Sequence, residues 1–205
     1  IIFGGSAGGG ATVISGFKLS PKPKALFAFY PYCTDFTNGF AYNPLTPLNQ
    51  TLVEEAQKLE TPILTKYWPS GNDDPYGTLA RSLIHQHMGG WLLATHDPNA
   101  SPKSIEATLA NYSAVLNIDA DYPPTYLCHG LNDILVPYSQ TVEMGAALRL
   151  KNISHMVALV PGVGHGWDYA ATADQYKTYI EPGFEFVAQY ITTPAKGAES
   201  YEEEL

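Results

Sequence analysis

Basic residues are scarce in this chain. Lysine and arginine number 11 against 20 acidic residues, a net charge of −9 at neutral pH. A surface of that sign repels a phosphate backbone, and no basic patch or nucleic-acid motif offsets it, so no nucleic-acid partner is expected. Long apolar runs are also missing. None approaches the roughly 20 residues with which an α-helix crosses a bilayer, so no membrane span is expected. Cysteine is nearly absent: Cys33 and Cys128 have neither the spacing nor the neighbours of a metal site, and each adjoins an apolar segment. Two buried free thiols are the plainer expectation, and a single disulfide is the alternative. No signal peptide, internal repeat or low-complexity tract is visible. The N-x-S/T triplets at Asn49, Asn99, Asn111 and Asn152 point only weakly to secretion, because such triplets often arise by chance, and localisation stays open.

What is present is the composition of a folded protein. With 45% hydrophobic and 15% charged residues, a 205-residue chain can bury a sizeable core. Its segments alternate. Ile1-Ile2-Phe3 reads as a short buried strand and residues 7–17 as a helix; residues 25–30, ALFAFY, form an apolar run of strand length stopped by Pro31. Residues 38–122 behave differently, because Pro44, Pro47, Pro62, Pro69 and Pro75 interrupt them. Short helices are predicted there over 52–59, 79–93 and 105–112, and no strand.

The alternation then resumes. Residues 124–128 read as a strand, followed by a loop, His129-Gly130-Leu131-Asn132-Asp133. A helix carries Val142, Ala146, Leu148 and Leu150; a strand over 155–160 ends at Pro161 and Gly162; and a last helix over 176–191 is broken or kinked at Pro182-Gly183. The pattern predicts an α/β fold, a mostly parallel sheet with helices on both faces. Residues 1–42 and 119–193 form its core, 43–118 a helical insertion expected to cap the site, and 194–205 an acidic tail.

The chemistry starts at Gly4-Gly5-Ser6-Ala7-Gly8, a G-x-S-x-G between a strand and a helix. A serine on so sharp a turn takes a strained backbone, with glycines two before and two after it where neighbouring chain passes close. The turn lifts the hydroxyl clear of the sheet and aims the helix N-terminus, and the Ala7 amide, at developing negative charge. The plainer alternative is a glycine-rich turn whose serine caps the helix. A serine needs a base. Of six histidines, His85, His87 and His96 fall in the insertion, His129 adjoins the loop of Asp133, and His155 opens a strand. His165, in the glycine-rich loop Pro161-Gly162-Val163-Gly164-His165-Gly166-Trp167, sits where an exposed base belongs. Asp133 follows a strand directly and is the acid expected to orient it, against an Asx turn as the bland reading. Asp168, three residues from His165, ranks below it. One helix and one strand separate Asp133 from His165, so both loops leave one edge of a parallel sheet, as does Ser6.

In their order and local contexts, GGSAGG, HGLNDILVP and PGVGHGWD resemble the α/β-hydrolase fold, and within it the esterase branch related to hormone-sensitive lipase. The resemblance covers most of the chain apart from the tail. It implies Ser6 as nucleophile, His165 as general base then acid, Asp133 as orienter, and ester hydrolysis through an acyl-enzyme without metal or cofactor. That branch usually has an acidic residue before its serine, where this chain has Gly5. Gly5, Tyr32, Val136 and Trp167 are the expected contacts to a small-molecule ester; for Tyr32, Trp68, Trp91 and Trp167 core packing is an equal alternative.

In that fold the nucleophile strand is the fifth of eight, so the strands found here correspond to the fifth to eighth. The family's second oxyanion donor lies in an upstream HGG-type loop that this sequence lacks, and Gly89-Gly90 is no convincing replacement. The expectation is a hydrolase whose N-terminal half is supplied by another polypeptide or segment. A prolyl-oligopeptidase-type peptidase shares the triad order, but no Glu-Glu or Arg signature for a peptide terminus stands out. A non-catalytic member of the fold and a condensation or cyclisation catalyst are the remaining alternatives.

Overall fold

The computed structural model describes residues 1–32, 34–47, 49–58, 89–95 and 97–191. They fall in two compact units, one within Ile1–Tyr32 and Ile118–Leu205, the other within Cys33–Asn117.

The first unit is built on four parallel strands in the order β1 (Ile2–Gly5), β2 (Leu26–Phe29), β3 (Thr125–Gly130) and β4 (His155–Val160). Register runs straight across, Gly5 beside Phe29, Phe29 beside Cys128 and Cys128 beside Ala158. Every residue of β2 and β3 is buried; β2 is apolar throughout, while β3 also buries the polar Thr125 and His129. Helices cover both faces. Helix α1 (Ala7–Lys18) lies against the face of Gly4, where a Cβ would meet Gly8 and Thr12, and α5 (Ser139–Leu150) packs Gly145 under Val157 on the same side. On the other face Gly183 of α7 (Glu181–Ala188) admits the rings of Phe27 and Tyr126. Phe27, Phe29, Tyr126, Cys128, Trp167, Phe186 and Val187 make the core there, with Phe27 stacked on Phe29 at 4.5 Å and edge-on to Tyr126 at 4.9 Å. Burial pushes the free Cys128 thiol up to about 12, so it is inert packing. Cys33 lies outside the described residues.

Two boundaries differ from expectation. His129 and Gly130 are the last residues of β3, not the start of a loop, because β4 runs on beside them and pairs Gly130 with Val160. The last helical stretch begins earlier, at α6 (Ala173–Gln175), where Thr172 and Gln175 form a reciprocal capping box. It widens into a π turn, Tyr176–Ile180, before α7. Pro182 therefore falls in the first turn of α7, where its missing N–H costs little, and the chain stays helical through it.

In the second unit all regular structure among the described residues is helical: α2 (Gln50–Gln57), α3 (Gly89–Ala94), α4 (Pro102–Ala110) and a 3₁₀ turn, Ala114–Leu116. Ser101 caps α4 through the Ser104 amide, and Pro102 sits in its first turn. Trp91, Ile105 and Leu109 are buried within the unit. The first part of the helix predicted over 79–93 lies outside the described residues, as do His85, His87, His96 and Trp68.

Candidate active site

Parallel strands send the chain out of β1, β3 and β4 at one end of the sheet, and each exit carries one polar side chain. Ser6 follows β1 with φ 56° and ψ −122°. A side-chain-bearing residue held there costs about 1–3 kcal/mol and persists only when its surroundings over-determine it. They do. The Ser6 amide donates to the Phe29 carbonyl at 3.1 Å, and its own carbonyl accepts from Gly10 and Tyr32, each at 3.0 Å. A Cβ on Gly4 would lie 2.7 Å from the Gly8 backbone, so glycine is required at that position. Gly8 itself would meet nothing within 4 Å, contrary to the expectation of close approach on both sides of the serine: its α-carbon faces open space while its carbonyl side takes the contact. The Ser6 hydroxyl caps no helix amide.

That hydroxyl instead lies 2.9 Å from His165 Nε2. His165 Nδ1 lies 2.7 Å from Asp133 Oδ2. Asp133 has a side chain with 0% exposure, against 21% for His165. Its Oδ1 accepts from the amides of Leu135 and Val136 at 2.9 and 2.8 Å, so the Asx turn is present in addition to the histidine contact. Burial by itself would raise the carboxyl pKa; the hydrogen bonds from His129, His165, Val136 and Leu135 outweigh it and hold the group well below the usual carboxylate range. An ionised Asp133 is acceptor-only, so His165 Nδ1 carries the proton and Nε2 of the neutral ring accepts from Ser6.

Two residues of this cluster went unassigned in the sequence. His129 is fully buried; its Nε2 faces Asp133 Oδ2 at 3.2 Å and the Val136 carbonyl at 3.0 Å, and its Nδ1 meets Thr141 Oγ1 at 2.7 Å. Tyr30, at the exit of β2, packs its ring 4.5 Å from that of His165 and donates its hydroxyl to Asp168. Burial first, then the Asp168 carboxylate, push the phenol far up, so it stays protonated. The available signal was position: both residues end strands beside the exits already singled out.

The expected substrate contacts fall in different places. Tyr32 is half-buried with its amide on Ser6, and Gly5 precedes the serine directly. Val136 is a buried scaffold residue that binds Asp133 through its amide. Trp167 is 7% exposed and packs between Phe29 and Tyr179. Ala7 opens α1, so its amide is one of the first-turn donors without an intrahelical acceptor. Among the described residues no cluster of His, Cys, Asp and Glu is arranged to hold a metal ion, and no helix is long and apolar enough to cross a membrane.

Comparison with known proteins gives relatives of the chain and of its fold. Non-reducing polyketide synthase Preu6 of Preussia isomera is 24% identical over 92% of this chain, and a non-reducing polyketide synthase of Penicillium brevicompactum is 24% identical over 83%. The chain spans only 10% and 9% of their respective lengths. Among solved structures, Pyrococcus horikoshii acylaminoacyl peptidase superposes with a TM-score of 0.57 at 14% identity, over 96% of this chain and 25% of that one. An acetyl ester-xyloside bifunctional hydrolase from Caldicellulosiruptor lactoaceticus gives 0.56 at 15% identity, over 94% of this chain and 57% of that one. These structures share the α/β-hydrolase fold with this chain, and neither they nor the relatives single out the hormone-sensitive-lipase branch. The model of the prolyl oligopeptidase family matches residues 83–193, the stretch that holds both Asp133 and His165, and the chain belongs to that family.

Proposed function

We propose that this chain is a serine hydrolase that cleaves carboxylic esters through an acyl-enzyme. The observation that carries the reading is the unbroken path from Ser6 Oγ through His165 to Asp133, at 2.9 and 2.7 Å. His165 Nε2 takes the hydroxyl proton as Ser6 Oγ attacks the ester carbonyl, and the Ala7 amide donates to the oxyanion. Collapse breaks the ester C–O bond, and the proton on Nε2 passes to the departing alcohol. Water, deprotonated by His165, then attacks the acyl-serine and releases the acid. Asp133 holds the ring and balances the imidazolium charge. This sequence of steps calls for no metal or cofactor.

Ester is proposed over peptide on the resemblance of the three motifs to esterases of the hormone-sensitive-lipase type; peptide cleavage is the alternative that the family match favours. Gly5, Tyr32, Val136 and Trp167 are the proposed substrate contacts. The proposed polypeptide or N-terminal segment that completes the sheet, and brings a second oxyanion donor, pairs beside β1, where Phe3 is 66% exposed. A second reading is favoured by the relatives: transfer of a polyketide acyl chain from a thioester to Ser6, with release by water or by a hydroxyl of the chain itself.

Intact-mass spectrometry before and after a fluorophosphonate probe tests the assignment. A single adduct, lost in Ser6→Ala, is expected. No adduct on a folded chain would mean that the site is incomplete without the second oxyanion donor, and no adduct once that donor is supplied would favour a non-catalytic binding role. Turnover of simple esters, acyl thioesters and prolyl amides side by side then separates the ester, polyketide and peptidase readings.

A further inference from the structure

The loop that carries His165 runs between two left-handed glycines, Gly162 at φ 74° and Gly166 at φ 71°. Its near end is tied down by the hydrogen bond of 2.9 Å from the Asn132 amide to the Val163 carbonyl. Its far end enters a short 3₁₀ turn, Trp167–Ala170, and there the tie is the bond from the Tyr30 hydroxyl to Asp168. Tyr30 is itself held in an unusual conformation. Its φ is 34°, its amide donates to the Cys128 carbonyl at 2.7 Å, and it is 2% exposed. The ring lies 4.5 Å from the His165 ring at 54°. It also lies against the nucleophile turn: a Cβ on Gly5 would come within 3.0 Å of the Tyr30 hydroxyl and 3.2 Å of the ring. One side chain thus touches the base, fills the space that a side chain before the nucleophile would take, and grips the residue three beyond the base.

We propose that Tyr30 is a positioning residue for His165, and that its hydroxyl bond to Asp168 latches the far end of the histidine loop so that Nε2 stays aimed at Ser6. Asp133 alone fixes one ring nitrogen, about which the imidazole can still tilt. The Tyr30 ring supplies a wall against that tilt. The latch stops the loop from pivoting at its two glycines. Tyr30 touches neither substrate nor reacting atoms in this role and acts through His165. A Cβ at position 5 would press on the Tyr30 hydroxyl and ring, so a larger residue there would require Tyr30 to give way slightly.

The inference rests on Ser6 as nucleophile, and the test separates the two. The rate of fluorophosphonate labelling, its final extent, and the proton resonance of His165 Nδ1–H are measured in wild type, Tyr30→Phe, Asp168→Ala and Asp168→Asn. Tyr30→Phe keeps the ring and loses the bond; Asp168→Asn keeps an oxygen that accepts it. The expected result is a labelling rate reduced by about tenfold in Tyr30→Phe and Asp168→Ala at unchanged final extent, with near wild-type rate in Asp168→Asn. The Nδ1–H resonance should broaden or move in the first two variants only. A Tyr30→Phe rate within about twofold of wild type, with or without a lower melting temperature, would reduce Tyr30 to core support and overturn the proposal. Wild-type protein that resists labelling, while its Nδ1–H resonance still responds to Tyr30→Phe and not to Asp168→Asn, would support the latch and remove Ser6 as nucleophile.

Discussion

His129 and His165 meet on one oxygen. Asp133 Oδ2 lies 2.7 Å from His165 Nδ1 and 3.2 Å from His129 Nε2. His129 Nε2 faces a second acceptor, the Val136 carbonyl at 3.0 Å, so this nitrogen carries the proton. In the neutral ring Nδ1 then accepts from the Thr141 hydroxyl at 2.7 Å. One histidine is a fixed, fully buried donor; the other is partly exposed, as the proposed base must be.

Replacing His129 by leucine should therefore destabilise the fold by about 1–3 kcal/mol, because the Val136 carbonyl and Asp133 Oδ2 each lose a buried donor. Urea denaturation measures this. His129→Gln, which can still donate once, should lose less. Equal midpoints for His129→Leu and wild type would mean that the ring is ordinary packing.

The acid limb of activity should contain one proton. The proposed reaction needs neutral His165 as its base, so the rate should fall as pH falls. Asp133 is held well below the usual carboxylate range, so it stays ionised while this happens. The logarithm of the labelling rate should drop with a slope near one. A slope near two would show that Asp133 titrates together with His165.

Asp133 also ties stability to pH. Its folded pKa lies below the unfolded value of roughly 3.9, so between about pH 5 and 2 the unfolded chain binds the proton first. The stabilisation is complete above that window and is lost as pH drops through it. Melting temperatures should fall over this range in wild type and less steeply in Asp133→Asn. Parallel curves would contradict the assignment.

Gly130 sits where β3 ends against the histidine loop. A Cβ there would lie 2.5 Å from the Val163 carbonyl oxygen and 2.9 Å from that of Gly164, both backbone atoms that cannot swing aside. Gly130→Ala should push the loop outward and reduce fluorophosphonate labelling by more than about tenfold, while the chain still unfolds cooperatively. Labelling at the wild-type rate would mean that the loop tolerates the shift without moving His165.

The sequence by itself determined the strand-helix alternation, because buried parallel strands are built mostly from apolar residues: 25–30 is apolar throughout and 124–128 carries Thr125 as its one polar side chain. It also determined which residues could do chemistry: a serine between glycines on a sharp turn, and an acid and a histidine that each follow a strand. These are local facts, set by backbone sterics and by the period of the apolar pattern. Only the tertiary structure decided which groups share a proton path. The distance from Asp133 to His165 depends on the pairing of β3 with β4, which sets two loops side by side and extends β3 through Gly130. The same pairing turns His129 inward onto Asp133, although its neighbours in sequence read as a loop. Tyr30 was illegible for the same reason: an aromatic residue before Pro31 reads as the end of a core strand. Its contacts with His165 and Asp168 come from chain more than a hundred residues away, which no local pattern records.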